Sequence, residues 1–266
     1  MSNLTITTIQ TNLHWEDSNA NLHMLEQSIN GIRDKTHVVV LPEMFSTGFS
    51  MRPKILAEKM DGKTVSWMEK MAAEKNIVIT GSVIIEENDH YYNRLIWMLP
   101  NGQFGYYDKR HLFAYGGEHE QFTRGKKRFI ASVNGWKINL VICYDLRFPV
   151  WSRQSLNADE KQSPEYDLFI CVANWPDRRS QAWKTLLQAR AIENQCFVAG
   201  VNRIGKDGND LTHNGDTMVI DPLGEILYHK SGEEDVNTIT LDKQKLDDTR
   251  SRLPFWKDGD DFHIEP

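Results

Sequence analysis

A chain of 266 residues, 40% hydrophobic and 26% charged, is long enough to bury one large core. Its net charge of −6, from 31 basic and 37 acidic residues with no basic block, speaks against a nucleic-acid or anionic-membrane surface. No apolar run approaches the ~20 residues of a membrane span, the start MSNLTITTIQTNL lacks the basic and apolar regions of a secretory signal, and three cysteines without framework spacing suit a reducing, cytoplasmic setting.

Thr5–Gln10 reads as the first strand, and Asn19 caps a helix to about Ile32 with Leu22, Leu25, Ile29 and Ile32 at helical spacing. A strand at Val38–Leu41 and a second helix at Thr64–Lys75 follow. Ile77–Ile85 and Arg94–Leu99 read as strands flanking a loop around END (87–89), and Ile138–Ile142 and Asp167–Ala173 as two more. Ser180 caps a helix running to Asn194; Cys196–Asn202 and Thr217–Asp221 are strands, the latter closed by a Pro222-Leu223-Gly224 turn. Strands alternating with helices imply βαβ connections and one α/β domain over residues 1–266, with 242–266 as a C-terminal extension. No repeat or linker interrupts it.

Three polar groups stand where apolar runs end. In WKINLVICYDLRFP (136–149), Cys143 closes a buried strand and a polar turn follows at once. In HVVVLPEMFSTGF (37–49), Glu43 follows a similar run; in FGYYDKRHLF (104–113), Lys109 sits among aromatics. A cysteine at a strand end can be lifted toward a substrate, and its thiolate is intrinsically nucleophilic. The bland alternatives are a packed, inert Cys143 and a structural Glu43–Lys109 ion pair, although such pairs are weak stabilisers.

LPEMFSTGF, YDKRHLF and CYDLRFPVWSR resemble the three catalytic motifs of the nitrilase superfamily of carbon–nitrogen hydrolases, in that family's order Glu, Lys, Cys. The segments 173–205 and 215–227 resemble its second half, so the likeness runs from the first strand to about Leu241. Within the superfamily, CYDLRFPVWSR and ANWP are most similar to the omega-amidases, which hydrolyse the terminal amide of 2-oxo acids such as 2-oxoglutaramate. The resemblance implies a four-layer αββα sandwich of two mixed sheets, cofactor-free chemistry and a homodimer with the C-terminal segment at its interface. It implies Cys143 as nucleophile, Glu43 as acid and base, and Lys109 with the Tyr144 backbone N–H as oxyanion donors. A cation beside the thiol also favours the thiolate. Glu118 in GGEHEQF matches a second glutamate of the family that holds the lysine; Glu120 is its competitor two residues away.

A 2-oxo acid amide carries a carboxylate remote from its amide, for which an arginine fork is the natural partner. Arg179 is the first candidate and Arg178 the alternate, with Trp175 and Tyr144 as pocket walls; for Arg147 the structural alternative is a pair with Asp145 or another acid that simply shapes the elbow. Cys171 and Cys196 read as packing residues, His119 lacks metal-ligand spacing, the tail DGDDFHIEP lacks a calcium-loop pattern, and GKDGN (205–209) reads as a turn. The rival enzyme readings are a nitrilase, a carbamoyl-amine hydrolase or another small-amide hydrolase. A rival from another class is a non-catalytic binding protein, against which the intact Glu43, Lys109 and Cys143 speak.

Overall fold

The computed structural model describes residues 2–154, 163–260, 262 and 264. In chain order its strands are β1 (Leu4–Gln10), β2 (Val38–Val40), β3 (Val78–Glu87), β4 (His90–Met98), β5 (Phe104–Asp108), β6 (Ile130–Val133) and β7 (Trp136–Ile142). They continue as β8 (Leu168–Ala173), β9 (Phe197–Asn202), β10 (Ile204–Lys206), β11 (Thr212–Ile220), β12 (Ile226–Ser231) and β13 (Asp235–Leu241). The helices are α1 (Ser18–Asn30), α2 (Pro53–Leu56), α3 (Lys63–Lys75), α4 (Glu118–Gln121), α5 (Pro149–Ser152), α6 (Ser180–Asn194) and α7 (Lys243–Arg252). No described helix is long and apolar enough to cross a membrane.

Two mixed sheets result. One has the order β13-β1-β2-β3-β4-β5, with β1, β2 and β3 parallel. The other runs β10-β11-β9-β8-β7-β6, with β7, β8 and β9 parallel and β12 paired to β11. The consecutive valines of β2 show why such strands are apolar on both sides. Val38 and Val40 enter the core shared by the two sheets, whereas Val39 joins the layer under α1 and α3. Trp183, Leu187 and Ala191 of α6 cover the second sheet from outside. The layers are therefore helix, sheet, sheet, helix, the expected αββα sandwich.

Local chemistry shifts several boundaries. The α1 N-cap is Asp17, whose side chain accepts from Ala20 N at 3.0 Å, two residues before the expected Asn19. Ser180 opens α6 but does not cap it; its hydroxyl instead donates to Asp216. The loop expected around 87–89 is a tight hairpin turn, with Asn88 and Asp89 both at positive φ between β3 and β4.

The C-terminal segment is held to its own chain through α7. Asp167 accepts from Arg250 Nη1 and Lys243 Nζ, each at 2.8 Å, and Arg250 also donates to the carbonyls of Tyr166 and Gln195. Beyond α7, Phe255 is 60% exposed. Asp261, His263, Glu265 and Pro266 of the expected interface tail lie outside the described residues.

Candidate active site

The segments that leave β2, β5, β7 and β8 meet at one edge of the sandwich. Glu43 lies just beyond β2, Lys109 immediately after β5, Cys143 directly after β7 and Asn174 directly after β8. Because β7 and β8 are parallel, with Ile142 opposite Val172, their ends emerge together. Strand ends in α/β sheets are where side chains from distant sequence converge.

Lys109 is clamped. Its Nζ donates to Glu43 Oε1 at 2.8 Å and to Glu118 Oε1 and Oε2 at 3.0 and 2.9 Å. All three side chains are buried. Glu118 opens α4 after Gly117, whose φ of +77° is natural for glycine, and its Oε2 also accepts from Phe113 N at 2.6 Å. Glu120, the competing candidate, is exposed.

Asn93 of β4, absent from the sequence reading, donates through Nδ2 to Glu43 Oε1 at 2.8 Å and to Glu118 Oε1 at 3.2 Å. Asn174 holds Glu43 from the other side, its N–H on Oε2 at 2.8 Å and its Nδ2 on the Glu43 carbonyl. The available signal was alternation. Asn93 and Arg94 point to opposite faces of β4, and Arg94 pairs with Asp108 and Glu87 away from this cluster.

Cys143 begins a 3-10 turn, Cys143–Arg147, at φ +46°, a left-handed backbone that is strained for a residue with a Cβ. Asp145 braces the turn. Its carboxylate accepts from Ile142 N at 3.1 Å, His111 N at 2.9 Å and Tyr107 OH at 2.8 Å, with His111 Nδ1 also at 2.8 Å. The thiol sits 4.0 Å from the Asn174 carbonyl oxygen.

Electrostatics couple the four groups. Burial disfavours the Lys109 ammonium, but Glu118 and Glu43 outweigh that and hold it above its ordinary pKa, so it stays charged. Glu118 is raised by burial, with Lys109 opposing and Glu43 adding to the rise. The Cys143 thiol is pushed well above its usual range by burial and by the Glu43 carboxylate, against the pull of Lys109. These effects favour the neutral thiol over the thiolate, so attack is helped by a proton acceptor.

Cys143 opens on a cavity of about 250 Å³ whose walls include Phe113, Tyr144, Trp175, Arg147, Arg179 and His213. Tyr144 meets Phe113 and Phe148 edge to face, and Trp175 is buried with its indole N–H on the Arg179 carbonyl at 2.8 Å. The alternative Arg147–Asp145 pair is not formed, because Asp145 is occupied by the donors above. The Arg147 guanidinium instead lies over the Trp175 ring at 4.7 Å, and that of Arg179 over Phe113 at 5.2 Å. Arg178 also lines the cavity but is exposed. Among the described residues, none of these three arginines makes an ion pair with an acidic side chain. Cys171 of β8 and Cys196, just before β9, are fully buried.

The model of the carbon–nitrogen hydrolase family matches residues 5–251. The chain belongs to this family. Among relatives of the carbon–nitrogen hydrolase, omega-amidase YafV of Escherichia coli strain K12 is 42% identical over 99% of this chain and 100% of its own. The 2-oxoglutaramate amidase of Bacillus subtilis strain 168 is 33% identical over 96% of both chains. A crystal structure of XC1258 from Xanthomonas campestris, a CN-hydrolase superfamily protein with an arsenic adduct in its active site, superposes with a TM-score of 0.97 over 100% of both chains at 43% identity.

His213 sets a pH limit on this hydrolase. Its Nδ1 lies 3.1 Å from the Leu211 carbonyl, and burial, then Arg203, push its pKa down to about 4. Between roughly pH 6.5 and 4 the unfolded chain takes up this proton and the folded one does not, so stability falls as pH drops through that window. His213→Gln is expected to remove up to about 3 kcal/mol of that acid-side loss, read from urea unfolding at pH 7 and 4.5. An unchanged difference between the two pH values would exclude His213 as its source.

Proposed function

We propose that this protein hydrolyses the terminal amide of small 2-oxo acid ω-amides, 2-oxoglutaramate and 2-oxosuccinamate, to the dicarboxylate and ammonia. One observation carries the reading: a buried Glu43–Lys109–Glu118 cluster meets Cys143 at a cavity also lined by Arg147 and Arg179, which have no acidic partner among the described residues. The omega-amidase and 2-oxoglutaramate amidase relatives support it.

Cys143 Sγ attacks the amide carbon as its proton passes to Glu43, which answers the high pKa of the thiol. The new oxyanion lies against the Lys109 ammonium and the Tyr144 backbone N–H. Glu43 returns the proton to nitrogen, the C–N bond breaks and ammonia leaves behind a thioester. Glu43 then takes a proton from water, whose oxygen attacks the thioester carbon; the C–S bond breaks, Glu43 returns the proton to Sγ, and the second carboxyl group leaves and ionises in water. Glu118 keeps Lys109 aimed and charged through both halves. At the far end of the substrate, Arg179, with Arg147 beside it, receives the carboxylate, while Trp175 and Tyr144 wall the carbon chain.

Ammonia release across 2-oxoglutaramate, 2-oxosuccinamate, glutamine, asparagine, a simple aliphatic amide and a nitrile tests this reading. The 2-oxo amides are expected to have the highest kcat/KM; a preference for glutamine over 2-oxoglutaramate contradicts it. In the same reading the enzyme is a cytoplasmic homodimer in which a second copy covers the exposed Phe255. Light scattering that gives a monomer at micromolar concentration would count against the dimer.

A further inference from the structure

We infer that Asn93 is a positioning residue that reserves one oxygen of Glu43 for the travelling proton and keeps the other occupied. The inference rests on the assignment of Glu43 as proton acceptor.

Glu43 Oε1 accepts from both Lys109 Nζ and Asn93 Nδ2, each at 2.8 Å. Two donors fill the lone pairs of a carboxylate oxygen, so Oε1 has no place for a proton. Oε2 accepts the Asn174 N–H at 2.8 Å and retains a lone pair, and the Glu43 carboxylate is also a side-chain hydrogen-bond partner of the Cys143 thiol. The second Nδ2 hydrogen of Asn93 goes to Glu118 Oε1 at 3.2 Å, so a single neutral amide braces both carboxylates that share Lys109.

The Asn93 Oδ1 is buried and, among the described residues, has no hydrogen-bond partner. Flipping the amide would set Oδ1 against two carboxylates, so the orientation is dictated by charge. Two carboxylates and one ammonium leave this dry cluster with an excess negative charge. Neutral N–H donors are the means of stabilising both anions without a second cation that would compete with Lys109 at the oxyanion.

The titratable groups around Glu43 are Lys109 after β5, Glu118 of α4 and the thiols of Cys143 after β7 and Cys171 in β8. Loss of the Asn93 donor removes a hydrogen bond to the charged form of Glu43 and makes it hold its proton more tightly. In Asn93→Ala, kcat for 2-oxoglutaramate is expected to fall about 10- to 100-fold with KM changed less than threefold. The acidic limb of the kcat/KM profile should move upward by at least half a pH unit. The acidic limb of Cys143 alkylation by iodoacetamide should move the same way, and that readout needs no knowledge of the substrate. A limb that stays in place while only the amplitude drops would overturn the inference, as would native activity. Asn93→Asp preserves shape and can donate only while protonated, so its activity should decline with rising pH where the native enzyme's does not. If the alanine variant fails to fold, parallel pH profiles of the native enzyme and Asn93→Asp overturn the inference on their own. Failure of native enzyme on every 2-oxo amide, with the alkylation limb still shifted, would reject the substrate reading and leave Asn93 in place.

Discussion

Replacing Lys109 by methionine is expected to abolish detectable ammonia release and to destabilise the fold as well. The ammonium is the only cation against the buried carboxylates of Glu43 and Glu118 among the described residues, with three hydrogen bonds of 2.8 to 3.0 Å. Removing one partner from a buried ionic cluster leaves uncompensated charge, typically about 3–5 kcal/mol of lost stability. Loss of an oxyanion donor alone costs about 10²–10³ in rate, and misplacement of Glu43 adds to it. The stability deficit should depend on pH in a stated direction. Burial already raises Glu118; without Lys109 a carboxyl of the pair is raised further, above its unfolded value, so the folded state binds the extra proton. The deficit therefore narrows as pH is lowered from 7 toward 5. Urea unfolding of both proteins at the two pH values reads this, and a stability equal to native at pH 7 would show that the charges are not confined together.

Cys143→Ala is expected to give the opposite combination, with activity lost and stability kept. Without the sulfur no thioester forms, and loss of a nucleophile from a cooperating catalytic set costs about 10⁴-fold or more. The thiol makes a long contact to the Asn174 carbonyl and a hydrogen bond to the Glu43 carboxylate, which Lys109, Asn93 and Asn174 also hold, so little holding the fold is removed. The stability change should stay within about 1 kcal/mol. Cys143→Ser should be similarly inactive, since a hydroxyl gives up its proton to Glu43 less readily than a thiol. Ammonia assays on purified variants alongside thermal unfolding separate the two predictions. Turnover retained in the alanine variant would remove Cys143 from the chemistry.

The polar groups that follow apolar runs were legible in the chain because burial forces such runs into strands and puts the next polar residue at a sheet edge. Glu43, Lys109 and Cys143 came from that pattern and Glu118 from the family likeness, and the structure brings all four together. The four layers came from the family likeness, and Val38 to Val40 fit them: they are apolar without alternation because each face of β2 meets a different packed layer. Asn93 was missed because a single amide in HYYNRLIWM looks like a solvated strand residue until β3 and β5 are placed on either side of it. The structural alternative of an Arg147–Asp145 pair stood open in the chain; only the tertiary structure shows that carboxylate filled by Tyr107, His111 and Ile142. The balance of effects on the Cys143 thiol was not legible in the chain. A neighbouring lysine was visible in the motif order, but the depth of burial and the nearness of Glu43 were not, and together these win.

Mass spectrometry of enzyme quenched during turnover of 2-oxoglutaramate tests the nucleophile directly. The peptide carrying Cys143 should gain the mass of the acyl group, with Cys171 and Cys196 unmodified and the adduct gone once substrate is exhausted. Steady ammonia release with that peptide never acylated, or with acyl mass on either buried cysteine, would contradict the account.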